Sequence, residues 1–175
     1  MRPTRNEGKV MRNTLLLILR GQENTGKTRL CAEIYRQLLH YADKKHYFGN
    51  AWEVMKEVIH DSIEPNGKTK IVDFKALLSI KNKKVGIFSM GDYIRNDYTQ
   101  GLQELIDNKV DILVCCTRSI NRTNSTFRYL EEKYSEYRKE IFWTDYAEKI
   151  QDLQSVKQKQ AKKITQFILN ELIKK

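Results

Sequence analysis

The chain has 175 residues, a hydrophobic content of 40% and a formal net charge of +10, the profile of one folded domain that buries about 70% of its unfolded surface without needing disulfides. Cys31, Cys115 and Cys116 form no C-x-x-C spacing, and His40, His46 and His60 lack the i, i+4 pairing of a helical zinc site, so metal-thiolate and zinc-hydrolase chemistry are set aside and a reducing, cytoplasmic setting is expected. No apolar run approaches the length of a membrane span, and the one at 15–19 is too short for a signal-peptide core.

The first element is a short apolar run, Thr14 to Arg20, read as an interior parallel strand buried on both faces. It leads into Gly21, Gln22, Glu23, Asn24, Thr25, Gly26, Lys27 and Thr28, a full match to G-x-x-x-x-G-K-(S/T). Two glycines at this spacing let the backbone coil until successive N–H groups point inward, and the following helix adds the positive end of its dipole. In such a cradle Lys27 is the point charge for β- and γ-phosphates, and the Thr28 hydroxyl takes one position on Mg²⁺. A glycine turn with no ligand is the alternative, and it leaves the Lys-Thr pair unexplained. Leu30, Ile34 and Leu38 recur every four residues, with Cys31, Tyr35 and Leu39 beside them, so a helix follows.

Residues 44–50 read as a turn, and Trp52, Met55, Val58 and Ile59 fall at helical spacing. Glu-Pro-Asn-Gly within 61–70 marks another turn. The run 71–80 is joined by Lys-Asn-Lys-Lys to Val85–Ser89, a hairpin that makes one strand antiparallel, as is usual at a sheet edge. Helical spacing resumes over 92–108, and Asp111 to Thr117 is a second buried strand. A polar segment, 119–125, precedes a tyrosine-rich helix expected over 127–138, a short strand over 140–144, and a long helix over 146–173 whose apolar stripe includes Leu153, Val156, Ala161, Ile164, Phe167, Ile168 and Leu172.

In an open parallel sheet the ligand lies beyond the carboxyl ends of the strands. Nucleotide chemistry needs an acid there for Mg²⁺, commonly at the end of an apolar strand. Val-Gly-Ile-Phe-Ser-Met-Gly-Asp ends on Asp92, three residues late for that pattern; its alternative role is N-cap of the next helix. Asp145 is a second candidate acid with the same alternative, and Asp73 a third whose strand direction the sequence leaves open. Arg118 and Arg122 follow the second buried strand and are candidates to fold over a γ-phosphate, the alternative being solvated loop arginines; Arg95 is a weaker candidate. Asn108, Lys109 and Asp111 spell the guanine-reading N-K-x-D, but they precede a strand instead of following one, and no D-x-x-G begins at Asp92. The expectation is therefore ATP over GTP.

With these residues in hand, the chain resembles a small member of the P-loop NTPase superfamily, and its arginine-bearing segment is similar to the lid of nucleotide kinases. The resemblance implies a three-layer α/β fold with a mainly parallel sheet of about five strands, helices on both faces, and Mg²⁺ and ATP as ligands, over residues 14–145. No acceptor-site constellation lies in 43–80, no Ser-Gly-Gly-Gln-like transporter signature occurs, and the length leaves little room for a helical lid domain. Three readings stay open: an ATP-hydrolysing NTPase coupled to a partner, a small phosphotransferase with an arginine lid, and a non-catalytic nucleotide-sensing module. The basic charge is concentrated in a single domain's two ends, the arm 1–13 at net +3 and the C-terminal helix region 145–175, whose residues 151–175 carry net +4; these ends serve solubility or touch nucleic acid or another polyanion.

Overall fold

In the computed structural model, described for residues 12–22, 26–45, 61–63, 69–71, 73–91, 94, 96–119, 125–144 and 152–174, the apolar run after Arg12 forms β1 (Arg12–Gly21). Leu15 to Leu19 are each at most 3% exposed, because strands flank β1 on both sides and helices cover both faces. The other elements are α1 (Lys27–Leu39), β2 (Lys44–Lys45), β3 (Asp61–Ile63), β4 (Thr69–Ile71), β5 (Lys75–Ile80), β6 (Lys83–Phe88), α2 (Asn96–Asp107), β7 (Ile112–Arg118), α3 (Thr126–Lys133), β8 (Tyr137–Trp143) and α4 (Leu153–Leu172). The main sheet has the order β2-β5-β6-β7-β1-β8, and β3 and β4 form a separate antiparallel ribbon.

Strands β6, β7, β1 and β8 run parallel, with Leu15 opposite Ile112 and Gly21 opposite Arg118. The expected hairpin is present between β5 and β6, turning at Lys81 and Asn82 with φ of +49° and +63°, the pair of positive values a tight type I′ turn requires. Its antiparallel strand is not at the edge, however. The two residues of β2 pair outside β5, so the segment read as a plain turn over 44–50 begins with a strand. A stretch expected only as a turn, 61–70, likewise contributes to the ribbon of β3 and β4. The helix expected over 51–59 lies outside the described residues.

Alternation along the strands separates the two faces. Cys116 meets Cys31 of α1, with Sγ atoms 3.2 Å apart. Its neighbour Cys115 points the other way and shares a face with its register partner Phe88, whose ring lies 5.7 Å from that of Tyr98 on α2. Helix α4 packs along α1 and reaches β8, where Phe167 meets Phe142 edge-on at 5.3 Å. On the opposite face, Tyr98, Tyr129, Tyr134 and Tyr137 form a run of ring contacts from α2 through α3 into β8.

That ring run explains a misplaced boundary. The tyrosine spacing reads as a helix to 138, but α3 stops at Lys133, and Tyr137 and Arg138 are already paired with β1. Tertiary packing of the rings overrides the local helical period. The long C-terminal helix is present as α4, described from Leu153. Among the described residues no helix is long and apolar enough to cross a membrane.

Candidate phosphate and magnesium site

Strand β1 ends at Gly21, and α1 begins at Lys27 with Gly26 as its N-cap at φ +78°. That left-handed conformation strains any residue with a Cβ, and a Cβ here would also meet Lys157 Cε at 2.9 Å. The second glycine of the motif is thus demanded by the backbone, and its neighbour is the far end of a lysine side chain. Lys27 is 7% exposed. Its Nζ donates to the carbonyl oxygens of Gly21 at 3.0 Å and Gln22 at 2.7 Å, which holds the ammonium against the strand end where the loop begins. Glu23, Asn24 and Thr25 lie outside the described residues.

At the second residue of α1, the Thr28 hydroxyl donates to Asp73 Oδ1 at 2.6 Å. Asp73 is exposed and stands just ahead of β5. It arrives there because β5 is antiparallel to β6: Lys75 pairs with Phe88, so the start of β5 lies where β6 ends, at the carboxyl end of the parallel strands. Ser89, the first residue past β6, fixes the approach. Its hydroxyl accepts from Phe74 N at 2.7 Å and donates to Asp73 Oδ1 at 3.2 Å, while Ser89 N donates to Phe74 O at 2.9 Å.

The resulting donor set, Thr28 Oγ1, Asp73 carboxylate and Ser89 Oγ, is all oxygen. Hard oxygen donors with a single carboxylate suit Mg²⁺, which keeps several waters and takes few protein ligands when phosphates supply the rest. The donors fit a magnesium that arrives with a polyphosphate better than a cation caged by protein alone, since among the described residues no three His, Cys, Asp or Glu side chains gather.

The next strand brings an arginine. Arg118 pairs with Gly21 across β7 and β1, and Ser119 N donates to Gly21 O at 3.0 Å. The backbone just past β7 is held further by Arg20, whose Nη2 donates to Ser119 O at 3.2 Å and whose guanidinium lies 3.7 Å from the Phe127 ring centroid and 5.0 Å from that of Trp143. Cation–π contacts of this kind favour a fixed guanidinium plane. Gly91 also approaches this strand end, since a Cβ there would lie 2.4 Å from Cys116 O, and its carbonyl accepts from Thr126 Oγ1 at 2.7 Å.

Of the residues expected from the sequence, the structure brings Gly21, Gln22, Gly26, Lys27, Thr28 and Arg118 to one end of the sheet. Asp92, Arg95, Arg122 and Asp145 lie outside the described residues. Asp73, left open by the sequence, is a described acid that bonds Thr28. Its signal was already in the hairpin, because a strand that turns back into β6 must start where β6 ends. Ser89 carries no motif of its own, and the apolar strand pattern points past it to Asp92.

The Asn108-Lys109-x-Asp111 segment lies at the opposite end of the sheet. There Asp111 Oδ2 accepts from Lys84 N at 2.8 Å, and Asp111 O accepts from Leu15 N at 2.9 Å. The cysteines are all free thiols and buried. The Cys116 hydrogen bond and burial push the Cys31 thiol well above its ordinary range, so it packs as a neutral group and is not poised as a nucleophile. Compared with protein-family models, with curated proteins and with solved structures, the chain matches none.

Proposed function

We propose that the chain is a P-loop NTPase that binds Mg-ATP at the carboxyl end of its sheet and hydrolyses the γ-phosphate, with turnover coupled to a partner. The observation that carries this reading is the Thr28–Asp73 hydrogen bond at 2.6 Å, one residue from a lysine held at the loop. A hydroxyl and a carboxylate that already share a proton at hydrogen-bond distance are spaced to ligate one cation side by side.

In this reading the N–H groups at the start of α1 and the Lys27 ammonium meet the phosphate oxygens. Thr28 and Asp73 would hold magnesium, with Ser89 keeping the Asp73 carboxylate oriented; when bound, the metal would supply positive charge against the phosphates. Arg118, beside Gly21, adds positive charge where negative charge spreads in the transition state, so most of the rate comes from positioning and electrostatics. ATP is preferred to GTP because the N-K-x-D segment is at the far end of the sheet, its aspartate engaged by the backbone of Lys84.

Arg118 at the loop also favours a second reading, transfer of the γ-phosphate to an acceptor under an arginine lid. One experiment separates the readings: γ-labelled ATP with magnesium, wild type beside Lys27→Ala, with small-molecule and nucleic-acid acceptors present. Free labelled phosphate, abolished in the variant, is the expected result. Label on an acceptor would make the chain a phosphotransferase. Binding without turnover would leave a nucleotide-sensing module, and no binding at all would overturn the proposal.

A further inference from the structure

Helix α4 carries a lysine where its apolar stripe predicts a hydrophobic residue. Lys157 lies four residues after Leu153 and four before Ala161, on the face turned toward α1, and it is 0% exposed. Other basic residues of this helix, Lys159, Lys162 and Lys163, are exposed; Lys157 is set apart from them by where its side chain goes. Its Cε is 2.9 Å and its Cδ 3.9 Å from the position of a Cβ on Gly26. The ammonium is one C–N bond of about 1.5 Å beyond Cε, so it stands beside the phosphate loop whichever way the last bond turns.

A buried ammonium is costly unless anionic or carbonyl oxygens surround it. A hydrophobic residue would fill the same space without that cost, and Leu153, whose Cδ1 is 3.5 Å from the same point on Gly26, does so one turn earlier. The polar links between the two helices run on from there. Arg29 Nη1 donates to Gln154 Oε1 at 3.3 Å, and Gln154 Nε2 donates to Glu33 Oε1 at 2.8 Å. The first turns of α4 are therefore keyed to the first turns of α1, and Lys157, beside Leu153, lies against Gly26 of the loop.

We propose that Lys157 is a second lysine of the anion site: carried to the phosphate loop by the C-terminal helix, its ammonium braces the loop and adds to the positive field that Lys27 supplies. This assignment rests on the phosphate-loop reading and extends it to an element remote in sequence. It makes α4 part of the binding site, and it predicts a preference for ligands of higher negative charge. At short range and out of water a charge acts strongly on a polyphosphate.

The test compares wild type with Lys157→Met, a side chain of similar length without the charge, by titration with Mg-ATP and Mg-ADP and by thermal unfolding. The expected result is Mg-ATP binding weakened about tenfold, as for a lost charge-assisted contact, with a smaller loss for Mg-ADP. Equal affinity of variant and wild type, with or without a change in melting temperature, would overturn the assignment and leave the phosphate-loop reading intact. Should the variant fail to fold, the Lys157 ammonium resonance in nitrogen-labelled wild-type protein decides: it shifts on adding Mg-ATP if the assignment is right and stays fixed if it is wrong. If wild type binds no nucleotide while remaining folded, both readings fall together.

Discussion

Asp73 and Asp111 stand at opposite ends of the same sheet and show two uses of one side chain. Asp111, at the amino end, is committed to the chain. Its carboxylate accepts from Lys84 N at 2.8 Å and lies 3.8 Å from the Lys83 ammonium, while its own N–H donates to Lys84 O at 2.8 Å. These bonds tie the start of β7 to the start of β6. Asp73, at the carboxyl end, accepts from two hydroxyls, those of Thr28 and Ser89. Hydroxyls give up such bonds readily to a cation, since each keeps lone pairs of its own. The two aspartates differ in who their partners are: Asp111 is held by backbone N–H and a lysine, Asp73 by two hydroxyls.

Substitutions at the two ends of the sheet should have opposite effects. The largest effect is expected for Lys27→Ala: turnover of Mg-ATP falls by about 10²–10³ or more, the scale for removing one preorganised charge-stabilising donor, while circular dichroism stays native. Retained turnover would remove the loop from the chemistry. Asp73→Asn keeps the shape and loses the charge; turnover is expected to fall about 10–100-fold, with a raised magnesium requirement. An unchanged magnesium titration would hand the metal to another acid.

Asp111→Ala should do the reverse. Leaving Lys84 N without its acceptor is expected to cost about 1–2 kcal/mol of stability, read by urea unfolding, while turnover per folded molecule is unchanged. A loss of turnover without a loss of stability would erase the contrast between the two ends.

The smallest effect is expected far from both, at Glu171 near the end of α4. The Lys174 hydrogen bond, followed by that of Arg138, holds its carboxyl below the usual range. A native carboxyl lower than the unfolded one stabilises above the unfolded pKa, about 4.3, and that contribution is lost as pH falls through the lowered native value. Glu171→Gln should therefore destabilise the protein slightly at pH 7, by less than about 1 kcal/mol in urea unfolding, because Arg138 and Lys174 are exposed. The gap should close below about pH 4. A gap that persists in acid would point to packing and not to charge.

Much of the sheet was legible. The runs behind β1 and β7 are continuous and apolar, and a strand buried on both faces leaves that mark on a sequence whatever its neighbours. The boundary between α3 and β8 was not, because helical spacing and a chain of aromatic contacts both use Tyr134 and Tyr137, and only packing chooses between them. The two-residue β2 has no periodicity to read. At the candidate site, the local geometry of Gly26, Lys27 and Thr28 was legible because it is set within a few residues. Ser89 was hidden by the more familiar aspartate after it, and Lys157 by its place among exposed lysines on the same helix.

The sequence by itself determined what is local: a strand that ends in a glycine loop, a helix that begins with Lys27 and Thr28, and an amphipathic last helix. These follow from backbone freedom, side-chain period and the spacing of a few residues. Only the tertiary structure decided which distant residues meet that loop. Asp73 reaches Thr28 because antiparallel pairing with β6 carries the start of β5 to the carboxyl end of the sheet. Lys157 reaches Gly26 because α4 packs along α1. Both contacts span more than forty residues of chain, a separation over which pairing and packing, and not local propensity, set position.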